Sequence, residues 1–308
     1  MIDFRWLIKA GTHFGHQTSR WSPKMASYIW GHKNGVHLID VSKTAHQLEK
    51  AAKFLESISA QGKSVLWVGT KKPAQAIIYT TATHLNMPYV NHRWIGGTLN
   101  NYAQVKKSVT RLLHFEDIID RSEKFPHYTK KELNTFSKVA DRLKKNVGGI
   151  RNLSWPVGAL VIVDVKKERS ALKEAASMKI PVIALVDTNS DPSMVDYVIP
   201  GNDDAPRAIK VIVDYLIAAV EKGIQGAAAK KQEKKKEKEL AVQEEQELEV
   251  LEEQEDEESD EVVAAPKRVK KAAPKTADLS EDEESDEGFE KKKERSKPLK
   301  DVTSRVKK

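Results

Sequence analysis

The 308 residues contain no cysteine, and that single absence excludes disulfide bonds, thiolate-held zinc and a cysteine nucleophile. Long apolar runs are missing too. The longest, around Val157 to Val165 and Ile180 to Val186, reach about half of the ~20 residues that cross a bilayer. Residues Met1 to Ala10 carry charge inside their apolar pattern and show no small-residue cleavage site, which predicts no secretory signal. Nucleotide-cradling loops are absent as well. Gly69-Thr70-Lys71-Lys72-Pro73 follows the first apolar run but matches neither G-x-G-x-x-G nor G-x-x-x-x-G-K-[ST]. No G-x-S-x-G elbow occurs, and the Ser, His and Asp residues form no recognisable nucleophilic pattern. Gly96-Gly97-Thr98 reads as a tight turn rather than a phosphate site.

Aromatic residues are nearly absent from one end. All six Trp, and every Phe except Phe289, lie within the first 223 residues. Residues 224–308 carry 20 basic and 25 acidic side chains, against 32 and 20 in the first 223. A segment so charged and so poor in apolar groups cannot bury enough surface to offset its ordering entropy. The organisation predicted is therefore a basic folded body over 1–223 and a disordered, low-complexity charged tail over 224–308.

Within the body, short apolar runs alternate with helical patterns, which predicts an α/β fold with a parallel sheet of about five strands. The runs are Ser64–Gly69, Pro88–Asn91, Ala159–Asp164, Pro181–Asp187 and Tyr197–Ile199. The third and fourth are continuously apolar, as expected of central strands buried on both faces. Helical stripes fall at Leu48, Ala52, Leu55 and Ile58; at Ala74, Ile77, Ile78 and Leu85, opened by Pro73 at the first helical position; at Ala171, Ala175 and Met178; and from Pro206 through Val220. Between about 101 and 148 the rhythm breaks. Two helical patterns flank a Pro126-containing break and end at Gly148-Gly149, read as a helix stop. This predicts an inserted α-helical hairpin, and residues 101–147 hold 11 basic and 6 acidic side chains, a surplus suited either to phosphate or simply to solvent.

Basic and aromatic residues interleave from Trp6 to Lys33, a mixture that suits structured RNA: cations attract phosphate and flat rings meet unpaired bases. Two metal readings stand beside it. His13 and His16 would share one face of a helix at i, i+3. Alternatively, His16 with Asp187, Asp203 and Asp204, all in loops after strands, would form a mixed imidazole and carboxylate site for zinc or magnesium. Asp164, Asp187 and Asp191 read first as caps and turn formers.

Ala10-Gly11-Thr12-His13-Phe14-Gly15-His16-Gln17-Thr18, Arg20-Trp21-Ser22-Pro23-Lys24-Met25 and Asn34-Gly35-Val36-His37-Leu38-Ile39-Asp40 resemble the opening of the bacterial small-subunit ribosomal protein S-two family. Further blocks follow in the same order: Val68–Lys72, Met87–Asn91, Arg93–Leu99, Val186–Asn189 with Asp191-Pro192, and Ile199–Ala205. The resemblance covers roughly residues 4 to 223. It departs at His32-Lys33 and at Pro73, and the tail has no counterpart in shorter members. It implies a flavodoxin-like three-layer α/β/α fold without catalytic activity, in the cytoplasm on the ribosome. The place implied is between head and body of the small subunit, in contact with small-subunit rRNA and neighbouring ribosomal proteins, and helping to retain the large mRNA-binding ribosomal protein number one. The RNA-contact candidates are His13, His16, Arg20, Trp21, Lys24, Lys71, Lys72, Arg93 and Trp94, with Lys106, Lys107 and Arg111 on the hairpin. The rivals are a nucleotide-dependent enzyme using the crevice near Asp187 and Asp203, and a free regulatory RNA-binding protein.

Overall fold

The computed structural model describes residues 3–121 and 128–227. The Pro126 break, and the charged tail from 228 onward, lie outside the described residues. Helix α1 (Phe4–Ala10) is capped by Asp3, whose carboxylate accepts from Arg5 N. Strands β1 (Phe14–Gln17), β2 (Ile29–Lys33) and β3 (Val36–Ile39) form a small antiparallel sheet in the order β1-β3-β2. Asn34 and Gly35 join β2 to β3 with φ of 51° and 73°, the two positive angles that a tight hairpin turn requires. This sheet is absent from the sequence reading because its residues, Ile39 apart, are half-buried or exposed and do not alternate.

Next come α2 (Val41–Ala60), β4 (Ser64–Val68), α3 (Lys72–His84), β5 (Tyr89–Val90), α4 (Tyr102–Asp120), α5 (Lys130–Val147), β6 (Val157–Val163), α6 (Arg169–Ser177), β7 (Val182–Val186) and β8 (Tyr197–Pro200). Helix α7 spans 206–227 of the described chain. Strands β4 to β8 form one parallel sheet in the order β5-β4-β6-β7-β8.

Period-two side-chain alternation builds three layers from this sheet. Val65, Trp67, Val161, Val163, Ile183 and Leu185 face α1, α2, α3 and α7. Leu66, Val68, Leu160, Ile162, Ala184 and Val186 face the side covered by α4, α5 and α6. Every residue of β6 and β7 is buried, as their unbroken apolar runs predict. The architecture is a three-layer α/β/α fold, consistent with a flavodoxin-like arrangement.

Helices α4 and α5 pack together as the inserted hairpin, with Phe115 and Phe136 stacked at 5.4 Å. Thr129 and Glu132 form a reciprocal capping box at the start of α5. Three details differ from expectation. Gly148 ends α5 in the right-handed helical region (φ −58°) and leads into a tight 3-10 turn, Gly148–Ile150, instead of a left-handed cap. Lys72 takes the first position of α3, so Pro73 is second. Helix α7 runs through the expected boundary at 223, because Gly223 is buried against α2, where a Cβ would lie 2.5 Å from the Glu56 carbonyl oxygen. Among the described residues no helix is long and apolar enough to cross a membrane.

Candidate functional site

The strand order reverses between β4 and β6, and a parallel sheet offers its ligand crevice at the carboxyl ends of the strands flanking such a switch. Here that place is filled by the chain's own charges. Lys71, just after β4, sends its ammonium to Asp203 (2.8 Å), Asp204 (2.6 Å) and Asp164 (3.7 Å). Burial alone would lower its pKa, but the contacts with Asp203 and Asp204 outweigh that and hold it above the ordinary lysine value. Lys167 Nζ donates to the Thr70 carbonyl at 2.8 Å, and the Thr70 hydroxyl donates to buried Glu168. Burial pushes the Glu168 carboxyl up, partly offset by Thr70.

His16 completes the cluster from the small sheet. Its Nδ1 lies 3.0 Å from Asp187 Oδ2 and its Nε2 3.3 Å from Asp204 Oδ2. The neighbouring Asp187 carboxylate raises the pKa of His16 against the opposing effect of burial. Asp203 is fully buried, and its Oδ2 has no hydrogen-bond partner. Burial, followed by the charge of Asp187, pushes this carboxyl up to about 7, against the opposing contact with Lys71. Ligand atoms of His16, Asp203 and Asp204 all lie within 4.8 Å of one another. The structure thus brings His16, Asp203 and Asp204 of the mixed metal reading within reach of one another, while Asp187 joins them only through the opposite ring nitrogen of His16. It does not support the His13/His16 helix: Phe14–Gln17 is a strand, the His13 Nδ1 atom is buried without a partner, and burial lowers the His13 pKa.

Gly15 makes this docking possible. A Cβ there would stand 2.7 Å from Thr188 Cγ2, and Thr188 is fully buried. With no side chain in the way, His16 N donates to Thr188 Oγ1 at 2.9 Å and Ser22 N to the Thr188 carbonyl at 2.7 Å. Asp191 caps the turn at Pro192–Met194, as its turn-former reading predicts, and also holds Lys24 Nζ at 2.7 Å.

These contacts sort the RNA candidates. Lys71 and His16 are committed to the charged cluster and do not offer free cations to phosphate. Lys24 is paired with Asp191 on the surface. Trp94 is buried, with its Nε1 donating to Glu174 Oε1 at 3.0 Å, so its ring is closed to a base. His13 is half-buried beside Phe14, with ring centroids 4.0 Å apart. Arg20, Lys72, Arg93, Lys106, Lys107 and Arg111 are exposed. Arg111 lies 5.4 Å over the Phe115 ring. Trp21 is partly exposed and tilted against His37 at 5.2 Å.

The Gly96-Gly97 turn proves to be an anion cradle whose anion is internal. Glu174 Oε1 accepts from Gly97 N (2.9 Å) as well as Trp94, and Oε2 accepts from Leu99 N (3.0 Å). Gly97 has φ +93°, a region that side chains rarely adopt. The sequence reading missed Glu174. The available signal was its place three residues after Ala171, on the apolar stripe of α6.

The family model for ribosomal protein S2 matches residues 7–223. The chain belongs to this family of structural proteins of the small ribosomal subunit; it serves translation as a constituent of the ribosome and is not an enzyme.

Proposed function

We propose that this member of the ribosomal protein S2 family, in the cytoplasm, binds small-subunit rRNA between head and body through its hairpin and the exposed bases of its body. It also helps to retain the large mRNA-binding ribosomal protein number one. The observation that carries the reading is the exposure of Lys106, Lys107 and Arg111 on one helix of the hairpin, with no ion pair to any of them among the described residues. Unpaired exposed cations release phosphate counterions on binding, and affinity then falls steeply with salt. The charged cluster argues against the nucleotide-enzyme rival, because Asp164, Asp203 and Asp204 stand where a phosphate would have to sit. Reversing Lys106, Lys107 and Arg111 to Glu is expected to weaken rRNA binding and flatten its salt dependence while leaving the melting temperature in place. Unchanged affinity would refute the assignment of the hairpin. Sedimentation of a lysate separates this reading from that of a free regulatory protein, which would stay outside the ribosomal fractions.

Surface aromatics supply the reading of partner retention with candidate anchors. Trp30 on β2 is 76% exposed and Trp6 on α1 is 64% exposed. Substituting Trp30 with Ala should lower the amount of protein number one that co-sediments, without loss of this chain from the subunit.

The cluster at His16 is also proposed to hold a divalent cation, zinc or magnesium. Four carboxylates face one lysine and one histidine there, and the orphaned Asp203 Oδ2 is a buried oxygen lacking a donor. His16, Asp187, Asp203 and Asp204 would be its holders, with Lys71 giving way. Metal content far below one per chain after purification without chelator would remove this proposal. The tail from 224 is proposed to be dispensable for folding and for incorporation into the subunit, since its net acidic charge is repelled by RNA phosphate.

A further inference from the structure

We propose that the cleft at the root of the hairpin holds one unpaired nucleotide of RNA, its base stacked on Tyr79 and its phosphate held by Lys144, Lys145 and Arg151. The inference rests on the reading that this chain binds small-subunit rRNA, and it identifies a recognition element within that interface.

The cleft measures about 620 Å³ and is walled by Tyr79, Tyr89, His92, Lys144, Lys145 and Arg151, among others. That volume falls within the ~300–1,000 Å³ of sites that enclose one small ligand. Among the described residues no carboxylate lines it, in contrast to the crevice at Lys71, where carboxylates predominate. Its walls come from three elements. Helix α3 contributes Tyr79, the edge strand β5 contributes Tyr89, and the last turn of α5 contributes the two lysines. Arg151 follows; one of its nitrogens pairs with Glu116, so it adds hydrogen-bond donors to the wall rather than an uncompensated charge.

The aromatic wall is held in place. Tyr79 and Tyr89 meet edge to face at 5.6 Å and 83°, and Tyr79 remains 49% exposed. Behind Tyr89, Gly149 closes in so tightly that a Cβ would lie 2.3 Å from the Tyr89 carbonyl oxygen and 2.8 Å from its ring. The root of the hairpin is thereby packed tightly against the sheet edge, which brings the backbone that carries the lysines to the same cleft as the ring. Lysines in a last helical turn also suit the helix dipole, but a dipole calls for no exposed tyrosine beside them. A cation group next to an open aromatic face is the combination that unpaired nucleotides use, because every base has a stacking face and every nucleotide a phosphate. A duplex keeps its bases stacked inside and gains nothing from the ring.

The test uses the full chain and small-subunit rRNA transcribed in vitro, with a fully paired RNA duplex as the second probe. Tyr79→Ala should weaken rRNA binding about tenfold, within the range measured for loss of one stacked base, and leave duplex binding unchanged. Tyr79→Phe, which keeps the ring, should bind like the unsubstituted chain. Lys144→Glu with Lys145→Glu should weaken binding to rRNA and lower the salt slope by about one, the loss of one phosphate contact. UV cross-linking of the unsubstituted chain, which needs no variant to fold, should place a nucleotide on the peptide carrying Tyr79 or Tyr89. If the unsubstituted chain binds rRNA while Tyr79→Ala binds equally well, or cross-links fall only elsewhere, the cleft is overturned and the broader reading stands. If Tyr79→Phe is as weak as Tyr79→Ala, stacking is overturned. If the unsubstituted chain fails to bind rRNA, both fall.

Discussion

Glu174 provides the most demanding test of how this fold is held. Its carboxylate, 7% exposed on α6, accepts three hydrogen bonds, from Trp94 Nε1, Gly97 N and Leu99 N. Glu174→Ala leaves three donors beside the vacated space, two of them on residues no more than 8% exposed. A hydrogen bond to a charged group contributes roughly 1.5–3 kcal/mol, and an orphaned buried donor costs roughly 1–3 kcal/mol. Water entering the space would recover part of this, so the net loss is about 4 kcal/mol. For a body of this size that corresponds to a fall in Tm of roughly 8–16 °C. Glu174→Gln should cost less, about 2–3 kcal/mol. Its amide oxygen can replace Oε1 and keep the Trp94 and Gly97 bonds, while its NH₂ faces the Leu99 N–H and makes no bond. The assay is thermal unfolding followed by circular dichroism, with a double-mutant cycle against Trp94→Phe that should show coupling of about 1 kcal/mol. An alanine variant melting within about 3 °C of the parent, or a glutamine variant as damaged as alanine, would refute the reasoning.

Gly15→Ala should destabilise the body by about 1–3 kcal/mol, as overpacking does, because the new Cβ meets the buried Thr188 side chain at 2.7 Å. Adding Thr188→Ala should recover part of the loss in Tm, and no recovery would show that the clash lies elsewhere. The Asp191 carboxyl is held down at about 2, first by Lys24 and then by Ser193, and Lys24→Met should raise its NMR titration toward the ordinary range. Since this pKa is depressed, the contribution of the pair is present above about 3.8 and lost as pH falls toward 2; at this exposed site it amounts to less than about 1 kcal/mol. Deleting all residues after Gly226 should change neither Tm nor ribosome occupancy, and a clear drop in either would give the tail a role in the subunit.

What the sequence determined by itself is whatever depends on local pattern. The continuous apolar runs of β6 and β7 specify strands buried on both faces, the stripes of α2 and α7 specify one buried side each, and the missing strand signal between Tyr102 and Val147 specifies the hairpin. The collinear blocks from Ala10 to Ala205 carried the family. The small antiparallel sheet was not read from the sequence, because its strands are mostly half-buried or exposed and have no alternation to read. The roles of individual charges were decided by tertiary structure alone. Lys71 read as a free cation, and only the convergence of the loops after β4, β6 and β8 places Asp164, Asp203 and Asp204 against it, whereas the grouping of His16 with Asp187, Asp203 and Asp204 was already open to the sequence. Trp94 reads as an open ring until Glu174, 80 residues later, closes over its indole nitrogen. The nucleotide cleft likewise joins Tyr79 to Lys144 and Arg151 across α3, β5 and α5. Hydrophobic periodicity is a property of neighbours in the chain, whereas an ion pair or a binding wall depends on distances that only the packed layers set.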